Sequence, residues 1–346
     1  MKKIICLLLA FLLIIPLIGC GDRYEKYSDY SFDYFDTATS IIGFEKNEEL
    51  FKVNVQKIKE KLAVYHKLYD IYTRSPNSVS LYDINNSRKP LNVDGKIIDL
   101  LNFSKKMYNL TDGKVNISFG SVLSIWHSFR EDGLNDPSKA EIPQMEDLKK
   151  ALEHTSIDNI IIDGNTVYLS DKEMQLDVGA VAKGYATEQI AKWMEEEGIN
   201  GYLLNVGGNI RTVGVRPDGE KWQIGLENPD TDDIENPYIE YLELGSNLSL
   251  VTSGSYQRFY TVEGKNYHHI IDPDTLMPAV GFKMVSVITD DSGVADALST
   301  ALFCMNWEDG NKIVNSLENT YAFWVKDNGE ILYSKGFKEF LKKEAD

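Results

Sequence analysis

Apolar residues return along this chain at two spacings, and the switch between them divides it. From Asn47 onward Leu50, Val55, Ile58, Leu62 and Tyr65 recur at helical intervals with Lys and Glu between them, the mark of an amphipathic helix. Ile97, Leu100, Leu101, Phe103 and Tyr108 repeat the pattern within Asp94–Tyr108, and Gln144–His154 reads as a shorter helix. The period then drops. Ile157–Ile162 and Thr166–Leu169 flank Asp163-Gly164-Asn165, a hairpin signal. Strand-like runs follow at 201–205, 211–215, 222–226, 238–244, 248–251, 259–262, 267–271 and 283–289. Two helices are expected near Gly293–Met305 and Trp307–Leu317, then a hairpin over Tyr321–Tyr333 and a helix at Phe337–Lys343. A first strand is expected at Tyr34–Ile42.

Strands at hairpin-sized intervals argue for antiparallel pairing. The expected fold class is α+β: a mixed, mainly antiparallel sheet with packed helices, in one domain over residues 34–346. Residues 20–33, rich in Tyr, Asp and Ser, read as a tether. Tyr72–Ser78 and Arg130–Pro143 read as loops at the surface, whereas Lys114–Trp126 is too apolar to be a free loop.

The first residues stand apart. Lys2 and Lys3 precede an apolar run, Ile4–Ile18, too short for a stable membrane span and ending in Leu17-Ile18-Gly19-Cys20. That ending resembles the lipobox of bacterial lipoproteins. The resemblance implies a signal peptide over residues 1–19 and a lipid on Cys20, holding the protein at the extracytoplasmic face of the cell membrane. Of the 3 cysteines, only Cys304 falls in the folded part, so neither a disulfide nor a cysteine-based metal site is expected there.

Charge narrows the partners. A formal net charge of -17 argues against nucleic acid. It also means that any phosphate-bearing ligand needs local cations or a metal ion.

Five stretches carry candidate chemistry. Leu176–Tyr185 places small residues (Gly179, Ala180, Ala182, Gly184) between Asp177 and Lys183 where a helix is expected to open. Helix starts present unpaired N–H groups that suit a phosphate; tight helix–sheet packing explains the same glycines. Asp296 and Thr300 lie one helical turn apart. A carboxylate and a hydroxyl on one face suit Mg²⁺, which keeps positions for water and substrate phosphate; the alternative is that Asp296 is only a helix cap. Of His268 and His269, neighbours on a strand, only one can face a given site. Asn205–Asn209 runs a strand into a Gly pair, and Thr252–Arg258 brings hydroxyls, Tyr256 and a guanidinium together.

These stretches, in this order, resemble the ApbE-type flavin transferases (FAD:protein FMN transferases). The matching pieces are Asp112-Gly113 with Gly120 and Trp126, Leu176–Tyr185, Asn205–Asn209, Thr252–Gly254, His269–Pro273 and Ala295–Thr300. The chain departs from the family pattern at Phe35-Asp36-Thr37, where Met-Gly-Thr is common, and at Asn116-Ile117, where Asp-Pro is common. The resemblance implies that FAD is cleaved at its pyrophosphate, that FMN passes to a Thr or Ser hydroxyl of an extracytoplasmic acceptor protein, and that AMP leaves. It further implies Mg²⁺ held by Asp296, Thr300 and the carbonyl of Ala180. FAD contacts would fall on Tyr72, Lys114, Val115, Asn116, Asp177, Lys183 and His269, with His269 and Asp296 as the catalytic pair. A FAD pyrophosphatase and a non-catalytic flavin-binding lipoprotein are the competing readings.

Overall fold

The structure, a computed structural model, describes residues 23–343 apart from Arg88 and Thr231. The expected signal segment and Cys20 lie outside the described residues.

An antiparallel sheet of eight strands organises the chain. Two strands, β1 (Glu25–Tyr34) and β2 (Thr37–Glu45), form its first hairpin. Residues read as tether are therefore ordered strand: Tyr27 and Tyr34 turn inward against the helical layer while Tyr30 and Phe32 face solvent. The strand expected at Tyr34–Ile42 is β2, and it starts only at Thr37 because Phe35 and Asp36, at φ 53° and 49°, make the turn. Helix α1 (Glu48–Tyr69) follows, capped by the Asn47 side chain on the Leu50 amide and with Glu48 and Glu49 in its first turn. Both features favour a helix start.

The next segment builds a second lobe. It holds α2 (Leu81–Asn86), β3 (Leu91–Asn92), α3 (Gly95–Leu110), α4 (Gly120–Asn135) and α5 (Met145–Leu152). The hairpin of β4 (Ile160–Asp163) and β5 (Thr166–Leu169) adds to β3 as a small sheet. Helix α4 overturns the loop expected from Arg130: Leu123, Trp126, His127 and Arg130 lie at helical spacing and share one face.

Then come α6 (Ala182–Glu196) and the hairpin of β6 (Tyr202–Val206) and β7 (Asn209–Val213), which enters the main sheet beside β2. A separate hairpin, β8 (Trp222–Glu227) with β9 (Tyr238–Leu244), precedes β10 (Ser249–Gly254). A further small hairpin pairs β11 (Phe259–Val262) with β12 (Lys265–His268). The chain closes with β13 (Phe282–Thr289), α7 (Ser292–Phe303), α8 (Trp307–Ser316), β14 (Tyr321–Lys326) and β15 (Ile331–Tyr333). The sheet order is β1-β2-β6-β7-β10-β13-β14-β15, antiparallel throughout. The expected C-terminal helix is only a 3₁₀ turn, Phe337–Phe340, after which Leu341 bridges to Leu242.

Both faces of this sheet are covered. On one, Val285, Val287, Ala322 and Trp324 pack on α7, while Ile41, Tyr202, Leu204 and Val213 pack on α1 and α6. On the other, Met284, Ile288, Phe323 and Leu203 meet Trp222, Ile224 and Leu242 of the β8–β9 hairpin. Strand β13 is buried almost end to end, and its Ser286 and Thr289 are buried with its apolar residues. The α+β, mainly antiparallel architecture agrees with the sequence expectation.

Candidate functional site

Helices α6 and α7 cross at unusually close range, and a glycine permits it. A Cβ on Gly184 would lie 2.3 Å from the Ser292 carbonyl oxygen and 2.5 Å from Asp296 Cβ. No side chain fits there. The approach lets the Gly184 amide donate to Asp296 Oδ2 at 2.9 Å, with Lys183 Nζ 3.8 Å from the same oxygen.

Asp296 is 5% exposed. Burial pushes its carboxyl up, and only Lys183 and the Gly184 amide pull the other way. Among the described residues no donor reaches its Oδ1. One turn on, Thr300 Oγ1 lies 3.5 Å from Ser253 Oγ, which is also 2.8 Å from Ser299 Oγ. A buried carboxylate with one uncommitted oxygen and a hydroxyl beside it is a donor set that suits a hard cation. Among the described residues no three His, Cys, Asp or Glu side chains cluster to cage a metal by themselves. Any ion here must complete its shell with hydroxyl, carbonyl, water or ligand oxygens.

These groups line one cleft of about 600 Å³. Every sequence-predicted site residue borders it: Tyr72, Lys114, Val115, Asn116, Asp177, Ala180, Lys183, His269, Asp296 and Thr300. Their freedom to act differs. Lys114 bridges Asp272 at 2.7 Å and Asp274 at 2.8 Å. Burial alone would push its ammonium down, but the two carboxylates prevail and hold it above the ordinary lysine value. Its charge is already matched. Asn116 is equally committed, accepting from the Ser118 amide through Oδ1 and donating to the Thr155 carbonyl through Nδ2. Val115 is buried and offers backbone only. The Asp177 side chain accepts from the Gly179 amide at 2.8 Å, and burial raises its carboxyl.

Against the expectation that only one could face the site, both histidines border the cleft, because His269 stands just past the end of β12. His268 has both ring nitrogens engaged: Nε2 donates to the Ala279 carbonyl and Nδ1 accepts from the Ile270 amide. His269 places Nδ1 3.3 Å from the Arg258 carbonyl, which can only accept, so Nδ1 carries the proton. Nε2 is left as a lone pair at the cleft. Burial, with the Arg258 guanidinium next, pushes the ring down to about 3, so it stays neutral near pH 7.

Sequence reasoning missed His127 and Arg130. They line the cleft from α4 and sit 2.8 Å apart, with the Tyr72 ring 5.2 Å from His127. The i, i+3, i+4, i+7 spacing from Leu123 to Arg130 was the available signal. Asn209 was named only as part of its stretch. It is buried at the cleft's β6–β7 edge, and its Oδ1 has no hydrogen-bond partner among the described residues. Beside it Gly207, at φ +58°, has no room for a Cβ, which would strike Thr37 at 2.5 Å.

One cleft thus combines a carboxylate and a hydroxyl, Asp296 and Thr300, with the cations Lys183, Arg130 and Arg258 and the His269 ring. An anion with ring systems suits that lining.

Comparison with known proteins agrees. The family model described as ApbE family matches residues 35–324. The chain is 28% identical over 294 residues to the FAD:protein FMN transferase of Vibrio cholerae, covering 84% of this chain and 83% of the relative. It is 30% identical over 270 residues to a protein of the same name from Klebsiella pneumoniae, covering 77% and 80%. The crystal structure of the ApbE protein of Thermotoga maritima superposes with a TM-score of 0.78 at 27% identity, covering 93% of this chain and 100% of that one.

Proposed function

Since this chain belongs to the ApbE family, we propose that its cleft binds FAD, breaks the pyrophosphate, transfers the FMN half to a Ser or Thr hydroxyl of an acceptor protein and releases AMP. One observation carries the reading: in a protein of net charge -17, one cleft is lined by Lys183, Arg130 and Arg258 together with the buried Asp296 carboxylate and the Thr300 hydroxyl. Nothing but a polyphosphate with its cation explains that collection so simply.

Asp296, Thr300 and the Ala180 carbonyl, which borders the same cleft, would hold Mg²⁺. When bound, the ion would neutralise charge on the phosphoryl group being transferred. The chain's own groups do the rest. Lys183 presents positive charge to the pyrophosphate at the start of α6, where the dipole adds to it. Arg130 and Arg258 add positive charge for the dinucleotide, and Tyr72 lies where it can stack on a ring. His269 Nε2, neutral and unpartnered, takes the proton of the incoming hydroxyl. Position and electrostatics supply most of the rate.

We further infer that Cys20 carries a lipid and that the enzyme works outside the cytoplasmic membrane. The support is the Leu17-Ile18-Gly19-Cys20 ending after a short apolar run. Among the described residues no helix is long and apolar enough to cross a membrane.

The test is product analysis after incubation with FAD, Mg²⁺ and a candidate acceptor. AMP formed one-for-one with flavin covalently on the acceptor supports transfer. AMP with free FMN supports the pyrophosphatase, and intact FAD with neither product supports a binding protein.

A further inference from the structure

Helices α6 and α7 are joined at a second point, one turn beyond the Gly184–Asp296 contact. Glu188 on α6 is 1% exposed. Its Oε2 accepts from the Ser292 amide at 2.8 Å and from Arg211 Nε at 2.9 Å, while Oε1 takes Arg211 Nη2 at 3.2 Å. The two helices run antiparallel at this crossing: residues 184 and 188 on one meet 296 and 292 on the other.

Ser292 is the first residue of α7, and its amide lies outside the helix's own ladder. Glu188 takes that amide and so ties the start of α7 to α6. Asp296 and Thr300 stand one and two turns further along. Arg211 fixes the carboxylate from the β7 side, with Glu195 3.1 Å from the same guanidinium. A small slip of α7 along α6 would carry Asp296 and Thr300 away from Ala180 and Lys183.

We infer that Glu188 is a positioning residue for the cation site: through the Ser292 amide it sets the register of α7 against α6, and so places the Asp296 and Thr300 oxygens opposite the Ala180 carbonyl. It touches neither FAD nor the ion. A residue that only stabilises the fold would change melting but not ion affinity. A residue that sets register changes ion affinity, as supporting groups around metal sites do. The inference rests on the cation site of the functional reading above.

The test is Mn²⁺ titration of the full chain, with free Mn²⁺ read by its paramagnetic resonance signal, alongside thermal melting. The variants are Glu188→Ala, Ser292→Pro and the double variant. Ser292→Pro removes the amide in question at a helix position that accepts proline, together with a buried hydroxyl that has no hydrogen-bond partner among the described residues. Asp291 before it is extended, at φ -130° and ψ 117°, as a residue preceding proline must be. Each single variant should weaken Mn²⁺ binding by about 10-fold or more. The double variant should lose no more than the weaker single, because both act through one contact. Both positions are fully buried, so Ser292→Pro and Glu188→Ala should also melt lower. Glu188→Gln, which keeps an acceptor for the Ser292 amide, should hold Mn²⁺ affinity near wild type, and a loss of about 10-fold in that variant would count against the inference if the other two do not fold. Wild-type Mn²⁺ affinity in Ser292→Pro, or losses that simply add in the double variant, would overturn the inference and leave the functional reading standing. No Mn²⁺ binding by the wild type would overturn the cation site and this inference with it.

Discussion

The Gly184 amide donates to Asp296 Oδ2 at 2.9 Å across a helix crossing too tight for any side chain on residue 184. That contact commits one carboxylate oxygen, and among the described residues no hydrogen-bond donor reaches the other. It also makes the site sensitive to changes on either helix.

Gly184→Ala should be costly. The new methyl would meet backbone and Cβ atoms, which cannot rotate away. Overpacking of this kind costs about 1–3 kcal/mol, readable in a denaturant melt. Separation of the helices should also raise the Mg²⁺ concentration needed for half-maximal turnover. An unchanged Mg²⁺ requirement would disconnect the crossing from the site.

Asp296→Asn keeps an acceptor for the Gly184 amide but removes the charge. Turnover should fall by about 100-fold or more, as when a group stabilising transition-state charge is lost, with melting little changed. Mg²⁺-dependent activity near wild type would reject Asp296 as a cation ligand.

His269 titrates in an unusual range. Its folded value, about 3, lies below its ordinary 6.5. The unfolded chain therefore binds the extra proton first as pH falls. The stability concerned is fully present above about 6.5 and is lost progressively as pH drops through about 3. In the assay, the rate should show no acid limb near 6.5 from this group. His269→Ala should slow transfer by roughly 10²–10⁴-fold while FAD still binds in an equilibrium titration. Unchanged rates would remove it as the base.

Lys114 and Arg130 make a contrasting pair. Lys114 is held by Asp272 and Asp274, whereas the Arg130 side chain hydrogen-bonds to His127 and is bridged to no carboxylate among the described residues. Arg130→Ala should weaken FAD binding by about 10–100-fold, the worth of a charged hydrogen bond or two. Lys114→Gln should instead lower the melting point and leave FAD affinity nearly intact. The reverse outcome in paired titrations would exchange their roles.

The two short segments at the helix crossing were legible because their chemistry is local. Asp296 and Thr300 share a face at any i, i+4 spacing, and Gly184 signals close approach without naming its neighbour. Pairings distant in sequence were not legible. Nothing local tells that Lys114 will be consumed by Asp272, or that Glu188 will reach Ser292. Arg130 was lost because a polar stretch was read as loop although its apolar neighbours kept helical spacing. The β1 strand was missed because its edge position leaves most of it exposed, which blurs the alternation.

The proposed function requires that Asp296, Thr300 and the Ala180 carbonyl together hold a divalent ion when FAD is bound. The most direct measurement is anomalous diffraction from crystals of the wild-type protein soaked with Mn²⁺ and FAD. The predicted result is one strong peak in contact with Asp296 Oδ1, Thr300 Oγ1 and the Ala180 carbonyl oxygen, with a phosphate completing the shell. A bound dinucleotide with no peak there, or a peak held by other residues, would contradict it.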